Sequence, residues 1–110
     1  MNSAMARTLI TVPSSAQAGE LIEIRCLIAH AMETGYRRSD EGQVMTRELI
    51  RRFRCEYGGR TVFSAELFAA ISANPLIAFW LRAEASGPLR FVWEGDNGFS
   101  QGEDVMLVVR

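Results

Sequence analysis

The segment Leu21-Ile-Glu-Ile-Arg-Cys-Leu-Ile28 alternates apolar and polar side chains over most of its length. Successive side chains of a β-strand point to opposite faces, so this alternation predicts a strand with one buried face and one exposed face. Glu23 and Arg25 are expected to point to solvent. The face that we expect to be buried carries Ile22, Ile24, Cys26 and Ile28.

Six further runs of alternating, β-branched or aromatic residues surround this segment and are predicted to form strands. Among them, Thr61–Phe68 has the least regular pattern. Leu76–Arg82 is apolar almost to its end, which predicts a central strand that is covered on both faces. In chain order the six runs are Thr8–Val12, Phe53–Tyr57, Thr61–Phe68, Leu76–Arg82, Leu89–Glu94 and Val105–Val109.

The links between these runs contain residues that favour tight turns. Gly58-Gly59 is typical of a short hairpin, and Asp96-Asn97-Gly98 can supply the positive φ that a tight reversal needs. Only Ala31–Thr46 is a long connection, and it carries a charged run. About seven short strands, polar turns and no long amphipathic helix predict an all-β fold, a two-sheet antiparallel sandwich. No linker or repeat divides the chain, so we expect one domain over residues 1–110.

The composition excludes several classes of protein. The 110 residues include twelve arginines, no lysine and thirteen acidic residues, which gives a formal net charge of −1 at pH 7. Nucleic acid as the main partner needs a basic surplus, so we expect no such partner. No apolar run approaches the roughly 20 residues of a membrane span. Residues 1–18 lack the long apolar stretch of a secretory signal, so these observations alone predict a cytosolic location.

Cys26 and Cys55 both fall on the apolar face of their predicted strands. We favour the interpretation that both thiols are buried and act as small hydrophobic side chains. Two alternatives stay open. The pair could bridge neighbouring strands or sheets in an oxidising compartment, provided that the Cβ atoms lie about 4 Å apart. A catalytic thiolate is the least favoured, because it needs a nearby cation or helix N-terminus and some exposure.

His30 is the only histidine, and the chain has no cluster of Cys and His with the spacing of a zinc site, so no metal is predicted. His30 has no nucleophile partner either, and we expect it to pack or to bond a backbone group at the end of its strand. The glycine spacing indicates no phosphate-binding loop, so no cofactor is expected. Acidic side chains in the loops could form an acid–base pair, but we expect them to be solvated or to form turns. These are Glu33, Asp40, Glu41, Glu94 and Asp96.

Two groups of arginines are prominent. The first group is expected to form a solvated, partly paired strand face, or else part of a subunit interface; it consists of Arg47, Arg51, Arg52 and Arg54. The second group is Arg37 and Arg38, which follow Tyr36 in the long connection. Arginine offers planar paired donors to carboxylate, sulfate or phosphate, and aromatic residues anchor interfaces. On spacing alone, a binding role and an ordinary surface loop both remain open.

Two segments are more distinctive than a strand pattern. They are His30-Ala-Met-Glu-Thr-Gly-Tyr-Arg-Arg38 and Trp93-Glu-Gly-Asp-Asn-Gly98. Together with five other segments they resemble the SoxZ family, the Z subunits of a sulfur-oxidising carrier complex, from about Arg7 to the C-terminus. The five other segments are Arg7–Pro13, Gly19–Ile24, Phe53–Tyr57, Ala70–Pro75 and Gly87–Phe91.

This resemblance implies an immunoglobulin-like β-sandwich and a defined role. In the family, the Z subunit pairs with a Y subunit, and the heterodimer carries sulfur intermediates of thiosulfate oxidation. The attachment point is a Cys on the flexible, glycine-rich C-terminal arm of the Y subunit. The chain is therefore expected to be non-catalytic, to stabilise the carrier and to present its arm to the other Sox enzymes and cytochromes. The resemblance also implies the bacterial periplasm, reached by export together with the partner, instead of the cytosol.

Candidate sites follow from the same resemblance. Recognition of partners or of anionic cargo is assigned to Tyr36, Arg37 and Arg38 and to the turn residues Asp96, Asn97 and Gly98. A permanent heterodimer favours a large apolar interface, and Phe79 and Trp80 are candidates for it. For these two residues a place in the sandwich core is nevertheless the favoured interpretation.

Two competing hypotheses remain for the function. The chain could be a stand-alone immunoglobulin-like module that binds proteins or acts like a chaperone, without a role in sulfur chemistry. It could also be an enzyme with a thiol-dependent activity at Cys26 or Cys55. A co-purifying partner with a Cys-containing arm would separate the carrier subunit from the module, and native thiol labelling would test the enzyme.

Overall fold

The computed structural model describes residues 5–68 and 71–110. Within those residues the chain forms seven strands and one short 3-10 turn, which confirms the all-β prediction. The strands are β1 (Thr8–Thr11), β2 (Leu21–Ile28), β3 (Ile50–Tyr57), β4 (Arg60–Glu66), β5 (Leu76–Arg82), β6 (Gly87–Gly95) and β7 (Ser100–Leu107), and the 3-10 turn is Asp96–Gly98.

The strands form two antiparallel sheets. One sheet has the order β1-β2-β5 and the other has the order β4-β3-β6-β7. The first, second and fifth strands share one sheet of an immunoglobulin sandwich, and the third, sixth and seventh share the other. The observed order therefore confirms the immunoglobulin-like sandwich. The fourth strand pairs with the third here, because the Gly58-Gly59 hairpin holds β4 beside β3.

The core lies between the two sheets and is built by the inward side chains of alternating strands. In β2 every second residue is buried, as the alternation predicted: Ile22, Ile24, Cys26 and Ile28. Aromatic rings fill the middle of the sandwich around Phe53 of β3. Its ring centroid lies 5.2 Å from that of Trp93 and 6.3 Å from that of Phe91, both on β6. Burial of each such side chain stabilises the fold by about 1.5–3 kcal/mol, so these rings are a main source of sheet-to-sheet cohesion.

The predicted turns are confirmed by their backbone angles. Gly58 and Gly59, with φ of 62° and 76°, close the β3–β4 hairpin in the left-handed conformation that glycine adopts without strain. Asn97 and Gly98 have φ of 59° and 76°, and they reverse the chain between β6 and β7. Asparagine tolerates this region better than most residues, which explains why the turn needs only one glycine there.

β5 differs from its prediction as a central strand. It lies at the edge of the three-stranded sheet, paired only with β2 among the described strands. Its side chains alternate between the core and solvent, with Phe79 and Leu81 buried and with Leu76 and Trp80 exposed. The prediction was wrong because most outward-facing positions of β5 are also apolar. The burial of its side chains alternates, but their hydropathy does not.

Several strand boundaries also differ from the predictions, most of all the starts of β7 and β3. β7 begins at Ser100, five residues before the predicted start at Val105, and β3 begins at Ile50, before the predicted Phe53. The early part of β7 is held by backbone pairing with β6, in which Glu94 lies opposite Ser100. Such pairing does not require an apolar pattern in the strand itself. Val109, predicted to end the last strand, lies beyond β7 and forms a parallel bridge with Ala16.

Candidate functional site

The connection between β2 and β3 crosses one end of the sandwich and folds back on itself. Glu33 and Glu48 form an antiparallel bridge in which each backbone N–H donates to the other's carbonyl, at 2.8 and 2.7 Å. A second bridge joins Arg38 and Val44 nearer the tip. Met32 is buried beneath the connection, and its Sδ accepts the Ile50 N–H at 3.4 Å. The segment is therefore a pinned hairpin-like loop, whereas the sequence predicted only its length.

The predicted recognition residues Tyr36, Arg37 and Arg38 lie on this loop, and each is exposed. Tyr36 is the most exposed large apolar side chain of the described residues, at 90%. Arg37 pairs with Glu33, and its Nη2 donates to Oε1 at 2.7 Å. Nη1 of Arg38 donates to the Gly42 carbonyl at 2.8 Å. These bonds hold both guanidinium groups in place and leave their remaining N–H donors free for an acidic partner.

Asp96 links the turn after β6 to the segment before β3. Its Oδ2 accepts the Leu49 N–H at 3.0 Å, and its Oδ1 accepts Nε of Arg51 at 3.0 Å. Nε of Arg47 lies 3.2 Å from Oδ2. Partial burial raises the pKa of this carboxyl, but the hydrogen bonds from Arg51 and Leu49 and the two arginine charges outweigh it and hold the pKa below its usual value. Asp96 is therefore a charged clamp within the protein, and its oxygens are largely occupied.

The loop and the turn meet in an open depression of about 680 Å³. Tyr36 lines it from the loop, Asp96 and Asn97 line it from the turn, and Arg47 lies between them. Nδ2 of Asn97 donates to the Arg47 carbonyl at 3.0 Å, which fixes the turn against the loop. The structure thus brings three of the six predicted recognition residues together. Arg37, Arg38 and Gly98 are not among the residues that line the depression.

Gly35 is a further residue of this site that the sequence reasoning missed. Its φ is +91°, and a Cβ at this position would lie 3.0 Å from Cβ of Arg47. Both the left-handed backbone and the close approach therefore require glycine here. Its position directly before Tyr36, in the segment that resembles the SoxZ family, is the signal that could have identified it.

The arginines of the first group all form ion pairs, which confirms the predicted pairing, but Arg47 lies before β3 and is not part of a strand face. Arg47 and Arg51 pair with Asp96, as described above. Arg52 and Arg54 both pair with Glu94, at 3.7 and 3.1 Å. The sequence placed these arginines on one face but did not reveal that two of them belong to the candidate site, because Asp96 follows Arg51 by 45 residues.

His30 packs and bonds the backbone, as predicted. Its Nδ1 accepts the Met32 N–H at 3.0 Å, and its ring meets Phe99 edge-on with centroids 5.4 Å apart. Burial lowers the pKa of His30, although the charge of Glu48 opposes this shift. The neutral imidazole is the form that can accept the Met32 N–H, so the low pKa and the hydrogen bond agree. His30 therefore has a structural role at the loop end.

Cys26 and Cys55 are fully buried and free, which confirms the favoured interpretation of two hydrophobic thiols. Burial raises the pKa of Cys26 to about 12, and the nearby Cys55 adds to the shift. Burial and the charge of Glu56 raise the pKa of Cys55 to about 12 as well. A thiolate is the reactive form of cysteine, and neither residue forms one near neutral pH in the folded protein.

Phe79 and Trp80, the candidates for a subunit interface, point in opposite directions. Phe79 is buried, and its ring stacks on that of Phe63 with centroids 4.3 Å apart. Phe79 is therefore a core residue and is not available to a partner. Trp80 is 66% exposed on the outer face of the three-stranded sheet. The favoured core position is therefore confirmed for Phe79 and wrong for Trp80, and of these two residues only Trp80 is exposed to a partner.

Two other features bear on function. In residues 5–68 and 71–110, no group of three or more His, Cys, Asp or Glu side chains is arranged to hold a metal ion. No helix in that part of the chain is long and apolar enough to cross a membrane.

Comparison with known proteins gives one family and several structures of the same fold. The family model described as "Sulphur oxidation protein SoxZ" matches residues 10–106. No curated protein sequence matches the chain. A superoxide reductase (neelaredoxin) from Ignicoccus hospitalis matches with a TM-score of 0.73 and 14% identity, over 96% of this chain and 82% of that one. The sulfur carrier protein SoxY from Chlorobium limicola matches with a TM-score of 0.64 and 11% identity, over 94% of this chain and 78% of that one. At these identities the structural likeness concerns the fold alone.

Proposed function

The chain belongs to the SoxZ family of sulphur oxidation proteins, and from this premise we propose that it is the non-catalytic subunit of a sulfur carrier heterodimer. Its partner is a SoxY-like subunit that bears the cargo on a cysteine of a glycine-rich arm. The chain stabilises that subunit and presents its arm to the other enzymes and cytochromes of thiosulfate oxidation. The pair works in the periplasm, which it reaches by joint export.

The observation that carries this assignment of roles is the state of the two thiols. Covalent attachment of a sulfur intermediate needs an accessible thiolate. Cys26 and Cys55 are fully buried, and the pKa of each is raised to about 12. The cargo is therefore expected on the partner, and the role left to this chain is that of a scaffold.

The architecture supports a scaffold role. The SoxY carrier from Chlorobium limicola shares the sandwich fold with this chain. The heterodimer is then a pair of related sandwiches, in which the loop end of this chain is free to contact incoming enzymes. Tyr36, Arg37 and Arg38 suit that contact, because an exposed aromatic ring beside two guanidinium groups fits an acidic protein surface or an anionic cargo.

The first test is co-expression of the chain with the SoxY-type carrier of the same organism. We expect a stable one-to-one heterodimer in size-exclusion chromatography, with thiosulfate-derived sulfur found by mass spectrometry on the carrier's cysteine. A stable monomer that ignores the carrier contradicts the proposal and favours a stand-alone binding module. Sulfur adducts on Cys26 or Cys55 contradict the scaffold role, and a cytosolic chain beside a periplasmic carrier contradicts the location.

The second test concerns the loop. The double substitution of Arg37→Ala and Arg38→Ala is expected to slow thiosulfate-dependent cytochrome reduction in a reconstituted system while the heterodimer still assembles. The matched control is Arg52→Ala with Arg90→Ala, which also removes two exposed arginines, but from the outer face of the four-stranded sheet. Equal turnover by the two double variants would remove the loop from the mechanism.

A further inference from the structure

The outer faces of the two sheets differ in chemistry. The four-stranded sheet presents ion pairs to solvent, namely Arg52–Glu94, Arg54–Glu94, Arg54–Glu56 and Arg90–Asp104. The three-stranded sheet carries one ion pair, Arg25–Glu23 at 3.9 Å, beside four exposed apolar side chains, namely Leu9, Leu21, Leu76 and Trp80. One face is therefore suited to water, and the other leaves large apolar side chains uncovered.

The apolar side chains of the three-stranded sheet lie on neighbouring strands. Leu27 of β2 pairs with Leu9 of β1 on one side and with Leu76 of β5 on the other, so three leucines form a row across the sheet. Trp80 lies on the same face of β5 as Leu76, four residues further along the strand. We call this surface, made of Leu9, Leu21, Leu27, Leu76 and Trp80, the apolar face.

The exposed apolar area of this face is about half of what one partner buries in a stable complex. From the exposed fractions of Leu9, Leu21, Leu76 and Trp80, these four side chains alone present roughly 450 Å², within the range of the largest patch on a monomer, which is often functional. A stable complex buries about 800 Å² on each partner, with an apolar centre and a polar rim. Charged side chains also lie on this face: Glu23 is opposite Trp80, Arg25 is opposite Ala78, and Arg82 is opposite Leu21.

The edge of β5 strengthens this argument. Within the described residues, β5 pairs on one side only, with β2. It carries a single charge, on Arg82 at its end, and no proline. Soluble proteins usually protect such an edge with charges, prolines, bulges or a covering segment, since an apolar open edge invites other strands. A partner that covers the apolar face also lies beside this edge and can shield it.

We propose that the apolar face, which includes Trp80 on the edge strand β5, is the surface that docks the SoxY-type carrier subunit. This inference rests on the proposed function, which supplies a permanent partner of the same sandwich fold. Tryptophan is enriched at interface hot spots, and Trp80 is exposed on the same face as the row of leucines. The depression between Tyr36 and Asp96 is lined by the loop before β3 and by the turn after β6, and both of these strands belong to the other sheet. Docking on the apolar face therefore leaves the recognition end open.

Tryptophan fluorescence tests the location directly. The chain has two tryptophans, of which Trp80 is exposed and Trp93 is fully buried. Acrylamide is expected to quench Trp80 in the free chain and to lose most of that effect when the carrier binds. The Trp80→Phe variant shows which part of the emission comes from Trp80. Labelling of this chain with 5-hydroxytryptophan allows its emission to be excited separately from that of the carrier. Unchanged quenching within a formed heterodimer overturns the proposal, whereas the absence of any heterodimer overturns the proposed function with it.

Substitutions provide the second test. Trp80→Ser and Leu76→Asp are each expected to raise the dissociation constant for the carrier at least about 30-fold, as truncation of a hot-spot residue does. The matched control is Met106→Ser, because Met106 is exposed to a similar degree, 61%, on β7 of the other sheet. It should leave the affinity within about twofold. Thermal unfolding of each free variant verifies that it is folded. The proposal is overturned if Met106→Ser weakens binding as much as Trp80→Ser does, or if Trp80→Ser has no effect. It is also overturned if self-association of this chain protects Trp80 without the carrier.

Discussion

Removal of the Asp96 carboxylate is expected to destabilise the protein by about 2–3 kcal/mol. The carboxylate accepts the partly buried Leu49 N–H at 3.0 Å and meets Arg51 and Arg47 at 3.0 and 3.2 Å. A hydrogen bond to a charged group contributes about 1.5–3 kcal/mol, and an ion pair with an exposed arginine adds about 0.5 kcal/mol or less. In a chain of this length, Asp96→Ala should therefore lower Tm by roughly 10 °C.

Two variants separate the contributions at this site. Asp96→Asn retains an oxygen that can accept the Leu49 N–H but loses the charge, so we expect a loss of only about 1 kcal/mol. Asp104→Ala is the control, because it removes an exposed carboxylate that pairs with Arg90 at 3.0 Å and should cost less than about 1 kcal/mol. Urea unfolding followed by circular dichroism measures all three variants. If Asp96→Ala costs no more than Asp104→Ala, the role assigned to Asp96 as a clamp is wrong.

The same carboxylate predicts a dependence of stability on pH. The pKa of Asp96 is lower in the folded chain than in the unfolded one, because the bonds from Arg51 and Leu49 and the arginine charges outweigh the opposing effect of burial. The unfolded chain therefore binds the proton more tightly, and the stabilisation is complete only above the unfolded pKa of about 4. It is lost as the pH falls from about 4 through the folded pKa. Asp96→Asn should show a smaller loss of stability in that range than the wild-type chain.

Three further predictions follow from individual contacts. Gly95→Ala should unfold the protein or destabilise it by more than about 3 kcal/mol, because the added Cβ would collide with the Leu49 carbonyl. The control Gly102→Ala displaces only the flexible guanidinium of Arg90, so urea unfolding should show a far smaller loss of stability. Cys26 and Cys55, each with a pKa of about 12, should resist iodoacetamide at pH 8 until urea unfolds the chain; rapid labelling of the folded protein by mass spectrometry would contradict their burial. His30 has a lowered pKa because of burial, so stability should decline as the pH falls below about 6.5, and His30→Gln, which lacks the titrating group, should show a flatter profile.

Much of the fold could be predicted because the relevant signals are local. β2 has the bounds expected from its alternation, and the Gly58-Gly59 hairpin and the Asn97-Gly98 reversal occur where glycine and asparagine permit a positive φ. The start of β7 could not be predicted, because residues 100–104 become a strand through pairing with β6 and carry little apolar pattern of their own.

The candidate site was only partly accessible to such reasoning. Tyr36 and the turn residues were identified from segments that resemble the SoxZ family, and the structure places Tyr36, Asp96 and Asn97 around one depression. Arg47 and Arg51 were expected only to lie on a partly paired face. Their bonds to Asp96 join residues separated by 49 and 45 positions, and no pattern within either segment indicates that pairing.

The alternation of side chains along each strand, the turn residues and the resemblance to one family are properties of short stretches, and the amino-acid sequence by itself determined them. The tertiary structure alone decided that β5 lies at an edge, that Phe79 is buried while Trp80 faces solvent, and that Asp96 holds two distant arginines. The physical reason is that burial and ion pairing depend on which strands become neighbours. Hydrogen bonding and packing between segments far apart in the chain decide which strands pair. Within one segment, the sequence does not distinguish an apolar residue that faces the core from one that faces solvent or a partner.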